Sequence, residues 1–126
     1  EDDIPVHNPT WHSYSKILAD GYVENLSQNH MILRVTHKPN PFPYEKAWDN
    51  QFGNFDYVDN QARRIISLIL RNVNGIYNIG TDNARSVYLM ALETKKDVVG
   101  VNAPHEVPKN LIMSVSKIKE LLNESN

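Results

Sequence analysis

Apolar positions in this chain recur at helical spacing in some stretches and bunch into short continuous runs in others. Tyr14, Ile17, Leu18, Tyr22 and Leu26 fall on one stripe and predict a helix that starts after an N-cap at Thr10, just past Pro9, and runs to about Ser27. The run MILRVTH (31–37) is short and β-branched, bounded by QNH and KPNP, and predicts a strand. Ala62, Ile65, Ile66, Ile69, Leu70 and Val73 repeat at three and four residues and predict a second helix. Asp59 or Asn60 would cap it, and Asn74-Gly75 would stop it. GIYNIG reads as a second strand, and Ser86 as the cap of a third helix, through about Lys95, that buries Val87, Met90 and Ala91 or a neighbouring set. DVVGV is a third strand, NAPHEVPKN a loop and SVSKIKELL a closing helix.

Strands alternate with helices across connections too long for hairpins, which predicts an α/β fold with parallel strands. Only one substantial strand and two short ones are visible, however, and a parallel sheet buried on both faces usually needs more. The 126 residues therefore read as a single domain that forms the second half of a larger fold. Between the first strand and the second helix, segment 38–54 has prolines at 39, 41 and 43 and the aromatics Phe42, Tyr44, Trp48 and Phe52. Its length and aromatic content suggest a functional loop rather than a plain connector.

Composition narrows the chemistry. A net charge of −2, with lysines and arginines interspersed among carboxylates, gives no footprint for nucleic acid or an anionic membrane. The absence of cysteine removes disulfides, thiolate metal sites and cysteine nucleophiles, and the chain reads as cytoplasmic. The longest apolar stretch, IISLIL, is far too short to span a bilayer. The acidic, proline-containing start EDDIPVHNP is unlike a signal peptide and reads as a surface loop entered midway. The five histidines form neither a His-x-x-x-His pair nor a zinc-protease signature, and no P-loop or nucleophile elbow is present.

Taken in order, EDDIPVHNPTWHSYSK, MILRV, YVDNQARRIISLIL, GIYNIGT with Ser86, and VPKNLIMSVSKIKELL resemble the C-terminal half of the extended short-chain dehydrogenase/reductase family. This family includes nucleotide-sugar epimerases, dehydratases and 4-keto reductases, and the closing segment is similar to the dTDP-4-dehydrorhamnose reductase branch. The resemblance implies the later part of a Rossmann-like fold, with few parallel strands, flanking helices and a small substrate-binding subdomain. It also implies NAD or NADP as cofactor and a nucleotide-sugar substrate. The partner would be a second copy, since this family often dimerises through the helix carrying Lys16, or a complementary N-terminal chain. The family's glycine-rich pyrophosphate loop is absent, as are its early strands and catalytic Ser/Thr.

In the family, a Tyr-x-x-x-Lys helix supplies a phenol that exchanges a proton with the substrate, and a lysine that lowers the phenol's pKa and hydrogen-bonds the nicotinamide ribose. Here His12 and Lys16 occupy those two positions, at the i, i+4 spacing that shares a helix face. Tyr14 lies two residues on, about 200° around the helix, so it cannot replace the phenol and reads as a packing residue. His12 is open to two readings. It orients a substrate hydroxyl or relays a proton through water, or it is a cleft or surface histidine without catalytic duty. Lys16 is read as the ribose contact, or else as a solvated lysine.

For the substrate, Phe42, Tyr44, Trp48 and Phe52 would stack on a base or sugar, and Lys46 or Arg34 would meet phosphate. The alternative is that these aromatics cover a small core. Arg63 or Arg64 would face a diphosphate, or both lie on a solvated face. Two functional classes follow: the substrate-binding half of a nucleotide-sugar reductase or epimerase, impaired by His12, or a non-catalytic binding or assembly module on the same fold.

Overall fold

In the computed structural model, which describes residues 11–124, helix α1 (Trp11–Leu26) is followed by strands β1 (Met31–Val35) and β2 (His37–Lys38). The aromatic segment carries β3 (Lys46–Trp48) and β4 (Phe52–Gly53), and β5 (Asp56–Tyr57) runs directly into α2 (Val58–Leu70). Strands β6 (Gly75–Ile79) and β7 (Arg85–Ser86), helix α3 (Val87–Leu92), strands β8 (Val99–Val101) and β9 (Asn110–Leu111), and helix α4 (Ser116–Glu124) complete the order. The Thr10 cap and the acidic opening lie outside the described residues.

β1 and β6 pair in parallel, from Met31 opposite Gly75 to Val35 opposite Ile79, as the strand–helix alternation predicts. Strand parity divides β1 between two faces. Met31, Leu33 and Val35 pack toward a core formed by Leu68 of α2, Tyr77 and Ile79 of β6, and Val115 and Ile118 around α4. Arg34 lies on the other face and pairs with Asp20 of α1 at 3.5 Å. Among the described residues β1 pairs with β6 alone, so its outer edge has no ladder partner.

Beside this pair lies a second core of Phe42, Ala47, Phe55, Tyr57, Val87, Met90, Ala91 and Val98. Short ladders frame it: β2 with β5, β3 with β8, and β4 between antiparallel β7 and parallel β9. Ser86 caps α3 as predicted, its Oγ accepting the Leu89 amide at 3.1 Å, and Val87, Met90 and Ala91 are buried. α3 ends at Leu92 rather than Lys95. Just past its end the Thr94 hydroxyl accepts the Phe42 amide at 2.9 Å and meets the Tyr57 hydroxyl at 2.6 Å. Gly80 and Asn54 tie the two cores together. Asn54 Nδ2 donates to the Thr81 carbonyl at 2.7 Å, and its Oδ1 accepts the Met113 amide at 2.9 Å.

The structure corrects several expectations. The N-cap of α2 is Tyr57, not Asp59 or Asn60, and no side chain caps it directly. Asp56, one residue earlier, instead accepts the Tyr57 amide at 2.8 Å and Asn60 Nδ2 at 3.0 Å. The helix ends at Leu70, before Asn74-Gly75, because Asn72 takes the left-handed turn conformation at φ 53°. The buried face of α2 is Gln61 and Leu68, while Ala62, Ile66, Ile69 and Leu70 from the predicted stripe face outward. The α1 stripe is exposed as well. Tyr14 packs edge-on against Trp11 at 6.2 Å rather than into a core, and Tyr22 and Leu26 are largely open to solvent. No helix among the described residues is long and apolar enough to cross a membrane.

Candidate functional site

A two-lobed cleft opens where β1 ends and β2 begins. One lobe, of about 310 Å³, is walled by Val35, Thr36, His37, Lys38, Gln51 and Phe55, with Val87, Met90 and Leu111 behind them. The other, of about 340 Å³, is walled by Phe42, Tyr44, Lys46, Ala47 and Trp48. Lys38, Gln51 and Val87 border both lobes. In open α/β sheets, ligands characteristically sit outside the carboxyl ends of the strands, which is where this cleft lies.

A polar network holds the rim. Gln61 is buried, and its Nε2 donates to the carbonyls that terminate both parallel strands, Thr36 at 2.9 Å and Ile79 at 3.3 Å. Its Oε1 accepts from Arg64 at 2.8 Å, and Arg64 also donates to Asp56 Oδ2 at 2.6 Å. Arg85 reaches the Phe55 carbonyl at 3.1 Å and the other Asp56 oxygen at 3.5 Å, and it pairs with Glu93. Burial alone would raise the Asp56 pKa. The hydrogen bonds from Asn60, Arg64 and the Tyr57 amide, with the Arg64 charge, outweigh it and hold the carboxyl below its ordinary value.

The structure brings some predicted site residues together and separates others. Phe42, Tyr44, Lys46 and Trp48 converge on one lobe. Phe42 is only 3% exposed, so its ring belongs to the core and offers the cleft little more than a wall. Tyr44 stands edge-on to it at 5.7 Å with an open outer face. Arg34 borders neither lobe, because strand parity turns it toward Asp20. Arg63 is exposed on α2, donating to Asn60 Oδ1 at 2.9 Å, and Phe52 is half exposed on β4; both lie outside the cleft. His12 and Lys16 are exposed, one turn apart on α1, and border neither lobe. Lys38 and Gln51 were not anticipated. Lys38 carried one legible signal, its place directly after a strand and before the proline-rich loop.

Two parallel strands with flanking helices and a small second core define an α/β fold. It is similar to the solved structure of dTDP-4-dehydrorhamnose reductase from Bacillus anthracis str. Ames in complex with NADP, with a TM-score of 0.67 and 19% identity over 92% of this chain and 51% of that one. It is also similar to dTDP-glucose 4,6-dehydratase from the same organism in complex with NAD, with a TM-score of 0.68 and 17% identity over 98% of this chain and 49% of that one. The chain spans about half the length of these structures, and at such identities the likeness is one of fold. Neither protein-family profiles nor curated protein sequences give a match.

The described residues do not build a dinucleotide cradle. Its glycines, at 21, 53, 75, 80 and 100, are dispersed, with no glycine-rich turn to bring a pyrophosphate onto a helix N-terminus. Lys16 is a single exposed cation on a helix surface. Among the described residues no cluster of three or more His, Asp or Glu is placed to hold a metal ion.

Proposed function

We propose that the chain is the C-terminal, substrate-binding half of an NAD(P)-dependent nucleotide-sugar reductase or epimerase acting on 4-keto-6-deoxy sugar nucleotides. The dinucleotide-binding half would be contributed by another segment or chain. The observation that carries this reading is the cleft at the carboxyl end of β1, aromatic and cationic on one side, in a chain with the fold of two dTDP-sugar enzymes. Two features support a complementary half: the unpaired outer edge of β1 and the apolar strip of α1 turned to solvent.

In this reading Tyr44 and Trp48 stack the base and Lys46 meets phosphate. The sugar lies toward Thr36 and His37. Lys16 would contact the nicotinamide ribose once the other half is present, and His12 occupies the seat of the family's acid–base tyrosine, so proton exchange is impaired.

The second reading, a non-catalytic binding or assembly module, is favoured by that same histidine. The substrate-binding reading and the binding form of the second need a ligand in the cleft, whereas an assembly module needs none. Calorimetric titration of dTDP-glucose into the intact protein should give saturable binding that Trp48→Ala weakens by about tenfold, the usual effect of removing a buried aromatic contact of 1–3 kcal/mol. No binding to the wild-type protein would rule out the substrate-binding reading.

A further inference from the structure

Lys38 holds a position in the cleft that no other cation shares. Its main chain is fixed by the β2–β5 ladder, opposite Tyr57, so the stem cannot drift. Its side chain borders both lobes, and Nζ lies 5.6 Å from the centre of the Tyr44 ring. That ring is itself braced by buried Phe42. Among the described residues no carboxylate forms an ion pair with Lys38, whereas Arg34, Arg64, Arg85, Lys95 and Lys119 each have one. The aromatic face steers the ammonium group without neutralising it, since a cation–π contact leaves the charge and its outward N–H groups available.

The two lobes differ in chemistry. One is lined by Tyr44, Lys46 and Trp48; the other by Thr36 and His37 at the strand end, over an apolar wall of Val35, Phe55, Met90 and Leu111. A ligand that fills both must pass Lys38 midway. We infer that Lys38 is the anion contact at the junction of the lobes, so that the cleft selects a ligand with a flat aromatic group at one end, a phosphate or diphosphate linker in the middle and an uncharged group at the other. This inference rests on the proposed nucleotide-sugar reading and adds to it the residue and the polarity of binding. Lys46, an exposed residue that lines the aromatic lobe alone, is a second phosphate contact.

The test compares dTDP with thymidine, which lacks the linker charge, on the intact wild-type protein and on Lys38→Ala and Lys38→Arg. Isothermal titration should show dTDP affinity reduced about tenfold or more in Lys38→Ala, to near that of thymidine, with thymidine affinity unchanged and Lys38→Arg close to wild type. Raising the salt concentration should weaken dTDP binding to the wild-type protein and leave thymidine binding unchanged, a readout that needs no variant. Should wild type and Lys38→Ala bind dTDP equally, or should the wild-type dTDP affinity ignore salt, the role assigned to Lys38 is overturned and the substrate-binding reading stands. Failure of the wild-type protein to bind dTDP at all overturns both.

Discussion

Arg64 Nη1 stands 2.6 Å from Asp56 Oδ2 and 2.8 Å from Gln61 Oε1, so one guanidinium connects the start of α2 to the residue that holds the ends of both parallel strands. Asp56 is buried, and its carboxylate gathers Arg64, Arg85, Asn60 and the Tyr57 amide. Removing it leaves two guanidinium groups without their shared acceptor at the edge of a core. Asp56→Ala should destabilise the fold by about 3 kcal/mol, the scale for breaking a buried ion pair, measured by urea denaturation.

The same carboxylate gives a pH signature. Its pKa is lowered on folding from the ordinary 3.8, because hydrogen bonds and the Arg64 charge outweigh the burial that would raise it. The stabilisation is therefore fully present above the unfolded value and is lost as pH falls from there through the lower folded value. Denaturation midpoints of wild type and Asp56→Asn should differ most near neutral pH and converge in acid below about pH 4. A gap that persists unchanged at pH 2 would contradict this.

Gly80 is required by a close approach of two backbones. A Cβ there would sit 2.4 Å from the Asn54 carbonyl oxygen and 2.7 Å from Asn54 Cβ, neither of them the free end of a flexible side chain. Asn54 in turn holds Thr81 and Met113. Gly80→Ala should cost about 2–3 kcal/mol, in the range of overpacking a core, and lower the thermal midpoint. Gly21→Ala is the control. Nothing lies within 4 Å of its added methyl, and it should be neutral or slightly stabilising.

The exposed strip of α1 makes a separate prediction. Trp11, Tyr14, Leu18, Tyr22 and Leu26 repeat along one side of the helix, and Trp11, Tyr22 and Leu26 are 86%, 68% and 81% exposed. A strip of this kind promotes association in solution. Tyr22→Lys combined with Leu26→Lys should reduce the concentration-dependent mass seen by light scattering while leaving the far-ultraviolet helix signal intact. An unchanged mass would remove this strip as a contact surface.

What the sequence made legible follows from the length of each element. α1 and α2 are long enough for a period to show and were placed from it, while β1 and β6 were placed as short apolar runs bounded by turn residues. The two-residue strands β2, β4, β5, β7 and β9 are too short for any period, and β2 and β9 supply cleft residues. Periodicity placed only part of the 62–73 stripe: Ile65 and Val73 pack against the core, whereas Ala62, Ile66, Ile69 and Leu70 are exposed. Within these residues the helix packs through Leu68 and a hydrogen-bonded Gln61, a polar residue that no hydrophobic count would choose. The aromatic lobe was legible because Tyr44, Lys46 and Trp48 crowd one segment. Lys38 and Gln51 were hidden because their role arises only when β2, β5 and α3 meet.

The chemistry at α1 turns on one position. His12 and Lys16 are four residues apart on a continuous helix, both open to solvent, in the spacing that the family resemblance assigns to a phenol and an amine. An imidazole places its nitrogens closer to the backbone than a phenol places its oxygen, and it carries a different proton inventory. If the seat is otherwise intact, His12→Tyr should raise NAD(P)H-dependent reduction of a 4-keto nucleotide sugar by about tenfold to a hundredfold or more in the protein completed with its dinucleotide-binding half. That is the scale on which a positioned acid–base group acts. Lys16→Ala should then abolish the gain. The chain of 126 residues alone should bind NADP weakly or not at all by calorimetry, since its sequence holds no glycine-rich pyrophosphate loop. A His12→Tyr protein that is no more active than its parent, while still binding dTDP in the cleft, would leave the non-catalytic binding module as the remaining reading.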